Sequence, residues 1–161
     1  MLHTEEIREN MLAKFRWAET SVQRIKDNLS DDLELVEQDF WAFLTACQTI
    51  RYYQARWHKL NNSGDGMKWL DAWKLRRLPR EQEAFATIIA IRNEDTHGVL
   101  LRPEREVRHE LFVDPYTTGF KPFAVVSIKY VVLFKGQRHV LNSILKDGLS
   151  VFKQLINDFD H

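Results

Sequence analysis

Residues 4–28, TEEIRENMLAKFRWAETSVQRIKDN, carry the strongest structural signal in this 161-residue chain. Apolar side chains recur there at steps of three and four, at Ile7, Met11, Phe15, Ala18, Val22 and Ile25. That spacing places them on one stripe of an amphipathic helix, with Glu, Lys and Arg on the other side. A narrow stripe is typical of helices that lie side by side in a bundle. We therefore expect a mainly α-helical fold.

A second helix follows a short break in this pattern. Asp31, with Glu34 three residues later, resembles a capping box and predicts the helix start. The apolar spacing then continues from Val36 to Trp57 and stops at the NNSGDG loop of residues 61–66. Two long helices joined by a short turn are expected to form an antiparallel pair.

The next segment predicts two more helices. Residues 67–78 carry Trp69, Leu70 and Trp73 at helical spacing, which indicates a third helix. Pro79 suits the first turn of a fourth helix, because a helix needs no N–H at that position. Gly98 is expected just beyond its end, since glycine adopts the left-handed turn that closes many helices.

The pattern changes to that of β-structure over about residues 99–135. Residues 107–113 alternate with a period of two, residues 114–122 contain two prolines, and residues 123–134 form a nearly continuous apolar run. These features predict a half-buried strand, a loop and a buried strand that ends at Lys135-Gly136-Gln137. A last amphipathic helix, with Gly148 inside it, completes the chain. We expect one domain over residues 1–161: an antiparallel bundle of four to five helices with a small β-hairpin inserted before the C-terminal helix.

Composition limits the classes of function. The 23 basic and 23 acidic residues cancel, so any nucleic-acid site must be a local patch. Cys47 is the single cysteine and lies in an apolar run, which excludes an intrachain disulfide and favours a core position. We expect no cofactor and no metal, because the six histidines are scattered. The charged N-terminus and the lack of a long apolar run predict a cytoplasmic protein with no membrane partner.

One short motif carries possible chemistry. Arg92 extends the apolar stripe of the fourth helix, where a guanidinium needs a partner such as Glu94, a facing helix or a phosphate. Asn93 follows it directly, and His97 lies near the expected helix end, where the chain is free to curl back. A histidine titrates near neutral pH and so serves as a general acid or base.

This segment resembles the signature of the HEPN family of helical-bundle proteins. In that signature, an arginine is followed by a polar residue, often asparagine, and then by a histidine after four to six intervening residues. The resemblance covers residues 4–98 and the last helix. It implies a homodimer that joins two motifs and cleaves RNA without metal, as toxins and antiviral effectors do. It also implies the roles of the residues: Arg92 on the scissile phosphate, His97 as acid or base, and Asn93 as the hydrogen-bonding group. An antitoxin-like protein would be a natural partner.

Two basic clusters are candidates for an RNA path to Arg92. The residues predicted to contact RNA are Arg51, Arg56, His58, Arg76, Arg77 and Arg80. The competing interpretation is a solvated face whose aromatic neighbours are in the core. Two further arginine–histidine pairs, Arg51 with His58 and Arg102 with His109, have similar spacing, so spacing alone is weak evidence.

Two other interpretations remain open. In the first, His97 is a C-terminal cap that interacts with helix carbonyls, and Arg92 binds Glu94 or a neighbouring helix. The chain would then be a non-catalytic helical module that binds a protein partner or RNA, or a structural accessory protein of a mobile element.

Overall fold

A computed structural model describes residues 3–28, 32–61, 64–96, 102–112 and 123–161. Its elements in chain order are helices α1 (Thr4–Asp27), α2 (Leu33–Leu60), α3 (Gly66–Leu75) and α4 (Pro79–Thr96), strands β1 (Glu104–Phe112), β2 (Phe123–Phe134) and β3 (Gln137–Val140), and helix α5 (Leu141–Asp158). This order confirms the predicted mainly helical fold with a small β-structure before the last helix.

Helices α1 and α2 form the predicted antiparallel pair. Trp57, near the end of α2, donates its indole N–H to the hydroxyl of Thr4 at the start of α1, at 3.1 Å. At the other end of the pair, Arg24 of α1 lies 3.6 Å from the carboxylate of Asp39 in α2. The apolar stripe of α1 is buried as expected.

Helices α4 and α5 complete a four-helix bundle. Arg8 of α1 donates to the carbonyl of Ile156 near the end of α5 at 2.9 Å, so these two helices run antiparallel. Glu81 in the first turn of α4 accepts hydrogen bonds from Ser150 and Gln154 in the second half of α5. The short helix α3 lies across the end of the bundle where α2 finishes and α4 begins.

Gly148 lets three helices approach closely at mid-bundle. A Cβ atom at this position would lie 2.5 Å from Cδ1 of Ile88 in α4 and 2.9 Å from Cζ of Phe43 in α2. Both side chains are fully buried. The glycine inside the last helix therefore has a packing role, since only a residue without a side chain fits there.

The β-structure is a three-stranded antiparallel sheet in the order β1-β2-β3, one strand more than the predicted hairpin. The prediction that Lys135-Gly136-Gln137 leads directly into the last helix was wrong. Lys135 and Gly136 both have positive φ, which is the two-residue turn that joins antiparallel strands. Gln137 thus pairs back onto Phe134 and begins β3.

Burial along β2 is also less than predicted for its described side chains. Val131 and Val132 are buried, but Ile128 and Leu133 are each more than 40% exposed. Among the described side chains of β2, residues 128–134, buried and exposed apolar positions occur together, so the apolar run does not by itself indicate burial. The strand predicted over 107–113 overlaps β1, which starts earlier, at Glu104, and is described as far as Phe112. The predicted loop 114–122 and Gly98 lie outside the described residues.

Two helix boundaries differ from prediction. The side chain of Asp32, one residue after the predicted Asp31, accepts the N–H groups of Glu34 and Leu35 at the start of α2. Helix α3 ends at Leu75 rather than at residue 78. Pro79 disfavours helical geometry in Leu78, which separates α3 from α4.

Candidate functional site

The motif helix α4 begins with a well-defined cap. Pro79 occupies its first position, and the carboxylate of Glu81 accepts the N–H of Leu78 at 3.3 Å, as in one half of a capping box. From there, the helix buries Phe85, Ile88 and other apolar side chains against α5 and α2. This core face sets the rotation of the helix and hence the direction of the side chains at its other end.

Arg92 lies in the next-to-last turn of α4, four residues after Ile88 and one after Ile91, both fully buried. Arg92 as a whole is half-buried, and its Nε atom is buried. The sequence argument that Arg92 extends the buried stripe is therefore consistent with its position. A guanidinium keeps its charge even when it is partly buried, so this residue provides a fixed cation at the helix end.

Asn93 is exposed, because one helical step rotates it by about 100° from Arg92. The helix ends at Thr96, so His97 follows its last residue and lies outside the described residues, as do the side chains of Glu94 and Asp95. The three predicted catalytic residues thus comprise a half-buried cation, an exposed amide and a histidine whose side-chain position the structure does not describe. We call Arg92, Asn93 and His97 the α4-end motif.

A shallow groove leads along α4 towards this motif. The turn and strand residues Phe134, Lys135, Gln137 and His139 face Thr87 and Ala90 of α4 across a space of about 290 Å³. Ala90 is only two residues before Arg92. The lining of the groove is mixed, with more apolar than polar surface, and it includes Lys135 and His139 on the sheet side and Glu83 on α4.

Of the predicted RNA-contacting residues, His58 is buried and Arg77 is half-buried in contacts with α5. His58 is only 2% exposed, and its ring centroid lies 4.9 Å from that of Trp57 and 4.8 Å from that of Trp69. Burial lowers the pKa of His58 more than its hydrogen bond with the Phe159 backbone raises it. Arg77 donates to Gln154 at 2.5 Å and lies 3.4 Å from the carboxylate of Asp158. These two side chains hold α2, α3 and α5 together, which leaves them poorly placed to meet RNA.

The other four predicted RNA-contacting residues are nearer the surface. Arg56 and Arg76 are exposed, and the exposed Arg80 lies 3.9 Å from the carboxylate of Asp147. Arg51 is half-buried and its guanidinium contacts the sulfur of Met67 at 3.6 Å. All four lie at the α3 end of the bundle, and the α4-end motif lies at the opposite end. Their contact with RNA stays a prediction.

The two competing arginine–histidine pairs have different surroundings. His58, the partner of Arg51 in that pattern, is in the aromatic core. Arg102 lies 3.5 Å from the carboxylate of Glu37, and His109 is exposed on β1. The first pair also has a half-buried arginine on a bundle helix, but its histidine is enclosed in the core. The second pair lies outside the helices, so neither pair offers an accessible histidine on a bundle helix.

Glu81 anchors a polar network that the sequence analysis missed. It is 4% exposed and accepts hydrogen bonds from Ser150 at 2.9 Å and Gln154 at 2.8 Å. Burial raises its pKa, but the hydrogen bonds from Ser150, Leu78 and Gln154 together with the charge of Arg80 outweigh that effect and lower it. The one sequence feature that could have indicated this network is local. Glu81 lies two residues after Pro79, at the position that a glutamate occupies in a capping box.

Other types of site find no support among the described residues. Within those ranges, no three His, Cys, Asp or Glu side chains form a group able to hold a metal ion. Cys47 is fully buried, and burial raises the pKa of its thiol well above the usual range, so it is not an activated nucleophile. In the described part of the chain, no helix has both the length and the apolar character needed to cross a bilayer.

No protein-family model, curated protein or solved structure matches this chain.

Proposed function

We propose that this protein is a metal-independent RNA endonuclease of the HEPN type, which acts in the cytoplasm as a homodimer. One observation carries the proposal: a partly buried arginine one turn before the end of α4, in a four-helix bundle, with an exposed asparagine beside it and a histidine directly after the helix. The half-buried position of Arg92 favours a group that is held in place, as a phosphate-binding cation needs to be.

In the proposed reaction, an RNA 2′-hydroxyl attacks the adjacent phosphorus atom and the 5′-oxygen of the next nucleotide leaves. His97 of one subunit removes the proton from the 2′-hydroxyl, and His97 of the other protonates the leaving oxygen. The products are a 2′,3′-cyclic phosphate and a free 5′-hydroxyl. Arg92 stabilises the negative charge that grows on the phosphate oxygens, and Asn93 holds the phosphate or the histidine by hydrogen bonding.

The direct test is cleavage of total RNA or tRNA by the purified chain in EDTA. We expect cleavage by the wild type, and a loss of about 10²- to 10⁴-fold in His97→Ala, the usual range for removal of a general acid or base. Arg92→Ala should also be inactive. The matched controls are His109→Ala and Arg102→Ala, which disrupt a pair of similar spacing without touching α4 and should leave cleavage unchanged.

The controls also define failure. If His97→Ala cleaves as fast as the wild type, a contaminating nuclease or another site is responsible, and the proposal falls. It falls equally if the wild type shows no cleavage of any RNA when it is freed from a co-purified antitoxin-like protein. A 3′-phosphate or cyclic phosphate end on the products would support attack by the 2′-hydroxyl.

A second candidate is a non-catalytic helical module that binds a protein partner. It is favoured by the β1–β2 ladder, where Val107 pairs with Ile128 in register and each side chain is 41% exposed. Such neighbouring apolar side chains suit a protein contact. Here, Val107→Asp would abolish capture of the partner, and Arg92→Ala would alter dimerisation or thermal stability with no activity to lose.

A further inference from the structure

The electrically neutral chain is strongly polarised. Residues 40–80 contain eight Lys or Arg and two Asp, a net charge of +6, although the whole chain sums to zero. This segment comprises most of α2, all of α3 and the start of α4. The acidic start of α1 and the end of α5, with Asp158 and Asp160, lie at the same end of the bundle, so the positive charge is local to the surface of α2 and α3. A local patch of this sign is what a neutral protein needs in order to bind a polyanion.

The outer side of α2 bears the most open part of this charge. Tyr52, Arg56 and Lys59 follow one another at steps of four and three, so they lie on one side of the helix. Tyr52 is 60% exposed, and Arg56 and Lys59 are exposed as well. No acidic residue occurs between Asp39 and Asp65. We call Tyr52, Arg56 and Lys59 the α2 stripe.

The helix dipole does not account for the stripe. Cations near a helix C-terminus are favourable, but this effect is limited to the last turn. Lys59 satisfies that rule next to the helix end at Leu60, whereas Arg56 lies a full turn earlier and Tyr52 two turns earlier. Tyr52 lies beyond the reach of the helix dipole, and an exposed aromatic ring beside two cations can stack on a nucleic-acid base.

The stripe is far from the α4-end motif within one subunit. Phe43, Ile88 and Gly148 lie at the same height in the bundle, as their close approach shows. Arg56 is 13 residues from Phe43 towards the α3 end, and Arg92 is four residues from Ile88 towards the sheet end. At 1.5 Å per residue, the two arginines are separated along the bundle by about 25 Å.

We infer that the α2 stripe is an anchoring site for single-stranded RNA, with a base stacked on Tyr52 and phosphates paired with Arg56 and Lys59. This inference rests on the proposed function for the choice of RNA as ligand. It also defines the substrate class: a strand that reaches both the stripe and the α4-end motif must span about 25 Å, which is about seven stacked nucleotides at 3.4 Å each.

Binding is tested on the full chain carrying His97→Ala, so that cleavage does not interfere. Fluorescence anisotropy with a labelled, unstructured 20-nucleotide RNA should show at least tenfold weaker binding after Arg56→Glu and Lys59→Glu are added. The slope of log K against log salt should fall by about 1.4, the value for two lost phosphate contacts on a single strand. Tyr52→Ala should weaken binding several-fold and leave that slope unchanged.

The matched control is Arg16→Glu with Lys26→Glu, an identical change of charge at two exposed positions of α1. Binding unchanged in the control and weakened in the stripe variant supports the anchoring site. Equal weakening in both would mean that net charge alone drives binding, which overturns it. Tighter stripe-dependent binding to phosphatidylserine vesicles than to the RNA would also overturn it, in favour of a membrane surface.

Cleavage assays separate this inference from the proposed nuclease. With the catalytic histidine present, charge reversal of the stripe should raise KM for a 20-nucleotide RNA and leave the rate on a six-nucleotide RNA unchanged. Normal cleavage with an unaltered KM would overturn the anchoring site and leave the nuclease intact. Stripe-dependent binding without any cleavage would instead overturn the nuclease and leave the anchoring site intact.

Discussion

At the α3 end of the bundle, indole N–H groups join distant parts of the chain, whereas at the sheet end the corresponding contacts of Arg24 with Asp39 and of Arg102 with Glu37 are ion pairs of largely exposed arginines. Trp69 donates to the backbone carbonyl of His161 at 2.8 Å, and Trp73 donates to the carboxylate of Asp158 at 3.0 Å. At the sheet end, α2 is capped by the neighbouring Asp32, and α5 follows Val140, which makes no side-chain cap. Most described β1 side chains are exposed.

This difference suggests a division of roles between the two ends. The α3 end has its aromatic side chains and its buried glutamate fixed by partners on three helices, so it resists local opening. The sheet end, which bears the α4-end motif, has fewer buried partners among the described residues. Functional segments are often drawn from the less stable part of a structure. Substitutions should therefore cost more at the α3 end than at the sheet end.

The largest effect is expected at Trp73, which is fully buried at the α3 end. Trp73→Ala removes a large core side chain and the hydrogen bond to Asp158, so the free energy of unfolding should fall by about 3–5 kcal/mol. The matched control is Trp17→Ala, because Trp17 is 62% exposed and its loss should change stability little. Urea denaturation of both variants measures the difference, and similar losses would contradict the buried role of Trp73.

Glu81 should be the next most costly position. Glu81→Ala leaves Ser150, Gln154 and the Leu78 N–H without their acceptor, which should cost about 2–3 kcal/mol. Glu83→Ala, at an exposed position in the same helix turn, is the control and should be nearly neutral. Because the folded pKa of Glu81 is lowered, its contribution is present above the unfolded pKa and disappears as pH falls through the folded value. The free energies of unfolding of Glu81→Ala and Glu83→Ala should therefore approach each other in strong acid.

A pH-dependent effect is expected at His58. Its folded pKa is lowered by burial, so the unfolded chain takes up a proton first as pH falls below about 6.5. The wild type should thus lose stability between pH 7.5 and 5.5. His58→Phe keeps a ring against Trp57 and Trp69 but cannot titrate, so its loss over this range should be smaller. The control is His109→Phe at an exposed strand position, and equal losses in all three proteins would remove His58 from the explanation.

Long-period patterns allowed most of the fold to be predicted from the sequence. The spacing in α1 and α2 identified both helices, because a continuous buried stripe leaves a repeated signal over many turns. Pro79 marked the start of α4, and the Val- and Ile-rich run gave the bounds of β2. Such features depend on local sequence, so they can be recognised without knowledge of the tertiary structure.

Features that depend on distant contacts or on a single backbone geometry were missed. Glu81 meets Ser150 and Gln154, which are 69 and 73 residues away in sequence, so no local pattern predicts that network. Lys135 and Gly136 were interpreted as a strand end, and the hairpin turn that their positive φ angles form was missed. For the candidate site, the helical stripe predicted the partial burial of Arg92, but convergence with His97 depends on residues outside the described ranges.

The smallest effect is expected at the sheet end, at the cap of α2. Asp32→Ala removes the acceptor for the N–H groups of Glu34 and Leu35 and should cost about 1 kcal/mol, the usual value for loss of a helix cap. Asp32→Asn is the matched control, because asparagine caps a helix about as well as aspartate and should keep nearly full stability. Urea denaturation distinguishes the cap from a general effect of charge: an equal loss in both variants would mean that the negative charge near the helix dipole, and not the cap geometry, stabilises this end.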